Sequence, residues 1–295
     1  MTGTPVLKVA DLVQHFQINR SVTIKAVDKI SFSVDTGEVF GIVGETGCGK
    51  STVAKSILGV NTITGGEIYF KGNLISAKHL PKAVKDDVHR NMQIIFQDSA
   101  AALNPHMTVA EIIAEPLQVN HVYADKQAVE DRVLECLLQV GMSDTYRHKY
   151  PGELSGGMRQ RVAIARSIAI RPDLIIADEP IASLDISIQA QIVTLFQHLQ
   201  KTEGFSFVFI AHDLSMVRFL SNRIAVMLRG KIVELAPTKE LFENPLHPYT
   251  ASLISSAPVP DPELERSRTR LEYDTSEFTG EGTLTEVSNG HFLLK

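Results

Sequence analysis

Residues 44–51 read Gly-Glu-Thr-Gly-Cys-Gly-Lys-Ser and match the phosphate-loop pattern G-x-x-x-x-G-K-[ST]. The pattern constrains the fold, because such a loop lies between the end of a strand and the start of a helix. The apolar run at 38–43 predicts that strand, and a helical stretch begins near Ser51. Glycines let backbone N–H groups curve round a β-phosphate, Lys50 reaches the β- and γ-phosphates, and Ser51 offers a hydroxyl to Mg²⁺. The alternative is a glycine-rich turn with a chance Lys-Ser, which the position after a strand disfavours.

Short apolar runs alternate with helical patterns along the chain, which is typical of α/β folds. Besides the run before the phosphate loop, residues 93–96, 174–177 and 205–211 predict strands without polar alternation, as in parallel strands covered on both faces. Between the second and third strands the periodicity predicts a helical insertion at 98–170. Prolines interrupt the chain after Pro245, where we expect an appendage with a loosely structured end.

Composition narrows the class of protein. Of 295 residues, 44% are hydrophobic and 21% charged, which indicates a globular chain rather than a disordered one. The net charge of −5 disfavours nucleic-acid binding. The two cysteines, Cys48 and Cys136, exclude a disulfide scaffold and any four-thiolate site within the chain. The apolar runs are short, so we expect a soluble intracellular protein or one held at a membrane by partners.

Polar side chains directly follow three of the predicted strands. Asp178 and Glu179 follow residues 174–177, and two adjacent carboxylates are costly to bury unless a cation or a substrate needs them. Asp178 suits a Mg²⁺ ligand acting through water, and Glu179 suits a general base that activates water. The amide oxygen of Gln97 could reach Mg²⁺, and a neutral His212 could donate to a γ-phosphate.

Each of these residues also has a simpler interpretation. A helix N-terminus favours acidic residues such as Asp178 and Glu179 without any ligand. A lone histidine such as His212 is usually structural, and Gln97 alone is only a polar residue. Four strand ends that all carry suitable groups, the phosphate loop included, favour a nucleotide site.

Residues 154–160 read Leu-Ser-Gly-Gly-Met-Arg-Gln and predict a helix whose first turn can bind an anion. A serine hydroxyl, bare glycine N–H groups and the positive end of a helix dipole all attract phosphate. Because the loop at 44–51 already serves one nucleotide, this second site most simply serves the nucleotide of another subunit.

The order of these motifs resembles that of the ATP-binding cassette (ABC) family of transporter ATPases, over about residues 6–265. The resemblance implies an α/β fold with a P-loop NTPase (RecA-like) core and an N-terminal antiparallel β part. It also implies a helical signature subdomain and a short C-terminal extension specific to importers, with a flexible end. The expected divisions are 1–97 and 171–240 for the core, 98–170 for the helical subdomain and 241–295 for the extension.

In this family two cassettes enclose two ATP molecules head to tail, and the resemblance assigns residues accordingly. Phe16 matches the aromatic that stacks on adenine, although an apolar strand residue would look the same, and Asp185 matches a contact across the dimer. The other ATP-binding positions are Gly44, Glu45, Thr46, Gly47, Cys48, Gly49, Lys50, Ser51 and Thr52. The signature that binds the partner's ATP is Leu154, Ser155, Gly156, Gly157 and Met158. The catalytic positions are Glu179, His212, Gln97 and Lys50, and the Mg²⁺ ligands are Ser51, Gln97 and Asp178.

Within the family the chain resembles the branch that imports peptides or nickel, and in particular its second, F-type ATPase subunit. The loop after Gln97, the helix after Asp185 and the tail at 247–264 carry the likeness to the branch, and residues 177–181 and 209–215 carry the likeness to the F-type subunit. Met158 departs from the commoner glutamine and leaves the phosphate-facing residues intact. Many relatives end in a cysteine-rich segment that can hold an iron–sulfur cluster, but no cysteine follows Cys136 here, so we expect no cluster.

The resemblance implies an ATPase subunit that energises an importer of oligopeptides or dipeptides, with ATP and Mg²⁺ as cofactors. The implied partners are a second, non-identical cassette ATPase, two transmembrane permease subunits and an extracytoplasmic peptide-binding protein, and no nucleic acid. The implied location is peripheral, at the cytoplasmic face of the cell membrane.

Three alternatives compete with this expectation. The nearest is the same machinery with nickel or another small solute as cargo. A soluble cassette acting on DNA or ribosomes would predict basic patches or a second cassette, and neither is present. A non-catalytic regulatory cassette would predict loss of Glu179, His212 or a signature glycine, and all are intact.

Overall fold

The computed structural model describes residues 4–19, 22–256 and 270–295. The strands are β1 (Leu7–Gln17), β2 (Thr23–Val34), β3 (Val39–Val43), β4 (Gly65–Phe70), β5 (Asn73–Leu74), β6 (Met92–Ile95), β7 (Leu174–Asp178), β8 (Ser206–Ala211), β9 (Arg223–Leu228), β10 (Lys231–Pro237), β11 (Leu284–Ser288) and β12 (His291–Leu294). The helices are α1 (Lys50–Ile57), α2 (Lys82–Asn91), α3 (Ser99–Ala102), α4 (Val109–Val119), α5 (Lys126–Gln139), α6 (Gly156–Ile168), α7 (Ile186–Glu203), α8 (Leu214–Leu220), α9 (Thr238–Glu243) and α10 (Pro248–Ser256).

The chain divides into two compact units. Unit 1 comprises Met1–Val34, Glu38–Lys78 and Phe209–Lys295, and unit 2 comprises Asp35–Gly37 and His79–Val208. Among the described residues, no helix has the length and hydropathy needed to cross a membrane.

Unit 1 contains two sheets. One is antiparallel, in the order β2-β1-β4-β5, and it confirms the N-terminal antiparallel part of the expected fold. In the other sheet β3 pairs parallel with β9, and β10, β12 and β11 follow antiparallel. All five residues of β3 are buried, which explains why that strand is a continuous apolar run in the sequence.

Unit 2 joins a short parallel sheet to a group of helices. β6 pairs parallel with β7, and the first half of β8 continues the sheet. The helices α3 to α6 occupy the region predicted as a helical insertion. The buried Arg132 of α5 donates to the backbone oxygens of Ile168 and Ala169 at 2.7 and 2.9 Å. A cation that bonds the last carbonyls of a helix stabilises its negative end, so Arg132 fixes α5 against the end of α6.

The expected division of the chain stays a prediction, and the two compact units group some of its residues differently. Residues 79–97 and 171–208, which we expected in the nucleotide-binding core, group with the helices. The physical reason is that β6 and β7 pair with each other and that α6 packs on β6, so these strands share more of their surroundings with the helices.

Residues 284–294, in the end that we expected to be loosely structured, contain two strands, and the expected flexibility stays a prediction. The strands β11 and β12 form an antiparallel hairpin, and β12 also pairs with β10. Backbone pairing with a sheet edge and burial of His291 hold the hairpin. The part of the tail at 257–264 on which the branch likeness partly rests lies outside the described residues.

Candidate functional site

The phosphate loop of unit 1 lies where the sequence predicted it, between β3 and α1. Gly44 has φ 153° and Gly49, at the N-cap of α1, has φ 110°. A Cβ atom at Gly44 would collide with the backbone oxygen of Met227, and one at Gly49 with that of Ala26. Only glycine can occupy these two positions, so they let the loop backbone pass close to its neighbours.

Lys50 begins α1, and its side chain turns back into the loop. The residue is only 3% exposed, and its ammonium donates to the backbone oxygens of Gly44 and Glu45 at 2.7 and 2.9 Å. The geometry fixes a positive charge inside a loop of backbone N–H groups at a helix N-terminus, which is an arrangement that binds phosphate.

The loop is also tied to the strands around it. The N–H of Gly230 donates to the backbone oxygen of Cys48 at 2.9 Å, and the N–H of Asp28 donates to that of Gly230 at 2.9 Å. Burial raises the pKa of the Cys48 thiol, although nearby Lys50 opposes the rise. Cys48 therefore contributes its backbone to the loop, and its thiol stays protonated.

His212 and Phe16 also belong to unit 1. His212 is exposed directly after β8, at the carboxyl end of that strand, as the sequence predicted. Phe16 pairs with Ile24 across β1 and β2 and is half-buried, so part of its ring surface is accessible. The roles of these two residues toward ATP stay predictions.

In unit 2 the signature residues begin α6. Ser155 is the N-cap, and its hydroxyl accepts from the N–H of Met158 at 3.3 Å. Gly156 and Gly157 form the first positions of a 13-residue helix, and the N–H groups of a first helical turn have no partner within the helix. Leu154 is buried and its carbonyl accepts from Arg159 at 2.6 Å. The helix predicted from the sequence thus begins at the signature, and its binding of an anion stays a prediction.

The start of α7 packs against the signature. A Cβ atom at Gly157 would lie 2.7 Å from Cγ2 of Ile188, so a side chain at this position would push the two helices apart. Asp185 is exposed at the N-cap of α7. The Gln189 amide donates to the backbone oxygens of Ile181 and Leu184 at 3.1 and 3.0 Å, which holds the loop before Asp185.

The other predicted groups of unit 2 lie at strand ends. Asp178 is the last residue of β7 and only 9% exposed, and Glu179 follows it half-buried with φ 47°. A positive φ is unfavourable for a residue with a side chain, and such strain is often found at functional sites. Gln97 is exposed, two residues after β6.

The donor chemistry of the three expected metal ligands suits Mg²⁺. A serine hydroxyl, a glutamine amide and a carboxylate from Ser51, Gln97 and Asp178 are all hard oxygen donors. The described residues contain no group of three or more His, Cys, Asp or Glu that could hold a metal ion.

Sequence reasoning missed two contributors to these elements. Gln189 lies in the helix after Asp185 and Tyr249 in the tail at 247–264, and the sequence points to no separate role for either residue. The Tyr249 hydroxyl accepts from the N–H of Glu45 at 3.1 Å, within the phosphate loop. No local pattern reveals this contact, because its two residues are 204 positions apart.

Comparison with known proteins gives matches over almost the whole chain. Residues 27–182 match the ABC transporter family, and residues 233–280 match the C-terminal region of oligopeptide/dipeptide transporters. The oligopeptide transport ATP-binding protein OppF of Bacillus subtilis (strain 168) is 50% identical over 98% of this chain and 95% of its own length. The dipeptide transport ATP-binding protein DppF of Lactococcus lactis is 44% identical over 98% of this chain and 93% of its own length.

The fold has solved counterparts. A dimeric ATP-binding cassette in a post-hydrolysis state, bound to ADP and Pi, matches with a TM-score of 0.70 at 28% identity, over 79% of this chain and 98% of that one. A cassette from the ABC transporter complex of Clostridium perfringens matches with a TM-score of 0.71 at 27% identity, over 81% of this chain and 91% of that one. These neighbours confirm the P-loop NTPase fold class. The chain therefore belongs to the ATP-binding cassette family of transporter ATPases.

Proposed function

We propose that this chain is the ATP-hydrolysing subunit of a membrane importer of oligopeptides or dipeptides. The observation that carries the proposal is the presence, on one chain, of a full set of cassette motifs and a match to the oligopeptide/dipeptide transporter C-terminal region at 233–280. Relatives that cover nearly the whole chain bear the names of oligopeptide and dipeptide transport proteins.

ATP is held through its phosphates by the loop at 44–51. The backbone N–H groups of the loop and the ammonium of Lys50 neutralise the β- and γ-phosphates, and Phe16 stacks on the adenine. Mg²⁺ is held by Ser51, with Gln97 and Asp178 as further oxygen ligands, and supplies charge neutralisation at the phosphates.

The signature helix serves the second nucleotide of a cassette dimer. The N–H groups of Gly156 and Gly157 and the hydroxyl of Ser155 lie at the positive end of α6, which suits the γ-phosphate of ATP bound to a partner cassette. ATP then favours closure, because a nucleotide without a γ-phosphate cannot recruit this helix. Asp185 contacts the partner cassette when the dimer is closed.

Hydrolysis follows closure. Glu179 accepts the proton of the attacking water, His212 orients the γ-phosphate, and Lys50 stabilises the charge that develops in transfer. Movement of the loop after Gln97 transmits closure to two permease subunits. The partner cassette is a non-identical ATPase, an extracytoplasmic binding protein delivers the peptide, and the chain is peripheral at the cytoplasmic membrane face.

The test is purification of the subunit from its native membrane in detergent, with identification of the proteins that accompany it. We expect two permeases, a second ATPase and a peptide-binding protein, and ATP hydrolysis that short peptides stimulate and Ni²⁺ does not. An ATPase that purifies without permeases would overturn the transport assignment. Stimulation by Ni²⁺ alone would overturn the peptide assignment.

The phosphate assignment has its own test in the same material. Lys50→Ala should abolish detectable ATP binding, because it removes the cation that the loop encloses. Lys55→Ala is the matched control, since Lys55 is an exposed lysine in the last turn of the same helix. Tight ATP binding by Lys50→Ala would contradict the assignment.

A further inference from the structure

Tyr249 joins the C-terminal extension to the phosphate loop. Its side chain is 1% exposed, and its hydroxyl accepts from the N–H of Glu45 at 3.1 Å. Burial raises the pKa of this phenol, so it stays neutral. A neutral hydroxyl on a loop that binds phosphate can fix the backbone without adding a competing negative charge.

The backbone of Tyr249 is itself held. Its N–H donates to Nδ1 of His247 at 3.1 Å. The ring of Tyr273 lies 5.8 Å from the Tyr249 ring and 5.7 Å from the His247 ring, and Phe278 lies 6.4 Å from His247. This aromatic cluster, formed by His247, Tyr249, Tyr273 and Phe278, brings later parts of the extension against the start of α10.

A second set of contacts ties this cluster to the sheet of unit 1. Glu234 of β10 is fully buried, and its carboxylate accepts from the N–H groups of Leu246 and His247 at 2.8 and 3.0 Å. His291 of the hairpin lies with Nε2 at 2.7 Å from Oε1 of Glu234. Because a carboxylate only accepts, the imidazole N–H donates. A buried carboxylate needs every one of these donors.

These contacts form one continuous path within unit 1. It runs from His291 to Glu234, from Glu234 to the backbone before α10, and from Tyr249 of α10 to the phosphate loop. We propose that Tyr249 is a positioning residue for the phosphate loop, and that the C-terminal hairpin holds it in place through His291 and Glu234. The inference goes beyond the proposed function, which assigns no part of the extension to nucleotide binding.

The first test compares two tyrosines of the aromatic cluster in the purified full chain. Tyr249→Phe keeps the ring and removes only the hydroxyl, and Tyr273→Phe is the matched control in the neighbouring ring. With MgATP and MgADP as probes, Tyr249→Phe should raise the dissociation constant of both about fivefold, the effect of one lost hydrogen bond. Tyr273→Phe should change the dissociation constant of either nucleotide by less than about twofold.

The two nucleotides matter because they share the β-phosphate that the loop binds. In the assembled ATPase, Tyr249→Phe should raise KM for ATP by a similar factor and leave kcat within about twofold. A loss of packing alone would instead lower the melting temperature of the chain without a change in its affinity for nucleotide. A rise in the dissociation constant of less than about threefold overturns the positioning role. A wild-type chain that bound no nucleotide would instead overturn the phosphate assignment.

The second test asks whether the hairpin acts through Tyr249. His291→Leu leaves the buried Glu234 carboxylate without its imidazole donor and should raise the dissociation constant of MgATP about threefold, whereas His291→Gln keeps an N–H donor and should restore most of the affinity. In a chain that already carries Tyr249→Phe, His291→Leu should raise the dissociation constant of MgATP by less than about 1.5-fold further. The reason is that His291 acts through the Tyr249 hydroxyl, which that chain lacks. Full additivity, or no rescue by glutamine, overturns the path.

Discussion

Arg223 and Glu38 form a two-pronged ion pair at the start of two parallel strands. Arg223 Nε lies 2.7 Å from Oε1 of Glu38 and Nη2 lies 3.0 Å from Oε2, and Nη2 also donates to the backbone oxygen of Ser33 at 2.7 Å. Phe40 of β3 pairs with Arg223 of β9 in the register that continues to Val43, the residue before the phosphate loop. The pair therefore helps to fix the strand from which that loop leaves the sheet.

Removal of the Glu38 carboxylate should destabilise the chain. Glu38→Gln replaces the charged partner of Arg223 with a weaker, neutral acceptor. The side chain of Glu38 is 8% exposed and that of Arg223 is 26% exposed, so the pair is partly buried. We expect the free energy of unfolding to fall by about 2–3 kcal/mol, between the values for surface and buried pairs, as measured by urea denaturation. Glu243→Gln, which breaks an exposed pair with Lys239, is the control and should cost less than about 0.5 kcal/mol. Equal effects of the two substitutions would contradict the role given to Arg223.

A methyl group at Gly157 should destabilise unit 2. The new Cβ would lie 2.7 Å from Cγ2 of Ile188, and overpacking of this kind costs about 1–3 kcal/mol. Gly156→Ala is the matched control, since its Cβ would meet Leu184 at an ordinary 3.7 Å. Thermal unfolding of the two variants measures the difference.

A second substitution tests whether the contact between position 157 and Ile188 causes the loss of stability. In the double variant Gly157→Ala with Ile188→Ala, the shortened side chain removes the colliding atom, so the combined loss should be smaller than the sum of the single losses. Additive losses would show that the cost of Gly157→Ala arises elsewhere.

The strands that carry the site could be predicted because burial on both faces leaves a continuous apolar run. β3, β7 and β8 are buried at every position, and each was predicted within one residue at either end. The phosphate loop and the signature could also be predicted from the sequence, since their chemistry depends on residues that are adjacent in the chain. A single sequence is therefore enough to predict sites that are formed by consecutive residues.

The C-terminal hairpin was missed although one signal was present. Asn289-Gly290 lies between the two strands, and this dipeptide is a strong hairpin turn signal, with Gly290 at φ 72°. Three of the five residues of β11 are exposed and β12 is only four residues long, so each strand is too short to show a clear hydrophobic pattern. The partner of His291 lies 57 residues earlier, and a contact at that distance leaves no trace in local periodicity.

Glu179→Gln should abolish most hydrolysis and spare ATP binding. A glutamine retains the shape of the residue after β7 but cannot accept the proton of water, so turnover should fall about 10²–10⁴-fold. Steady-state ATP hydrolysis by the assembled complex gives the turnover, and equilibrium binding of MgATP to the same variant gives the affinity. Glu243→Gln serves as an exposed control. Near-normal hydrolysis by Glu179→Gln would remove Glu179 from its role as general base.

Both cysteines should resist alkylation in the folded chain. Burial raises the pKa of Cys48, and it raises the pKa of Cys136 to about 12, against 9.0 for a free thiol. A raised pKa lowers the thiolate fraction at any pH below it, by about 10³-fold for Cys136 near pH 8, and the thiolate is the species that reacts.

Iodoacetamide labelling followed by mass spectrometry measures the rate at each cysteine, with the chain unfolded in guanidinium as the control. At pH 8 the native rate at Cys136 should be at least about 10²-fold below the unfolded rate, and it should still rise about tenfold per pH unit above pH 9, where a free thiol levels off. The native rate at Cys48 should also lie below its unfolded rate, because burial raises the pKa of that thiol too. A native rate at Cys136 equal to the unfolded one would show that the thiol is open to solvent, which would contradict its burial.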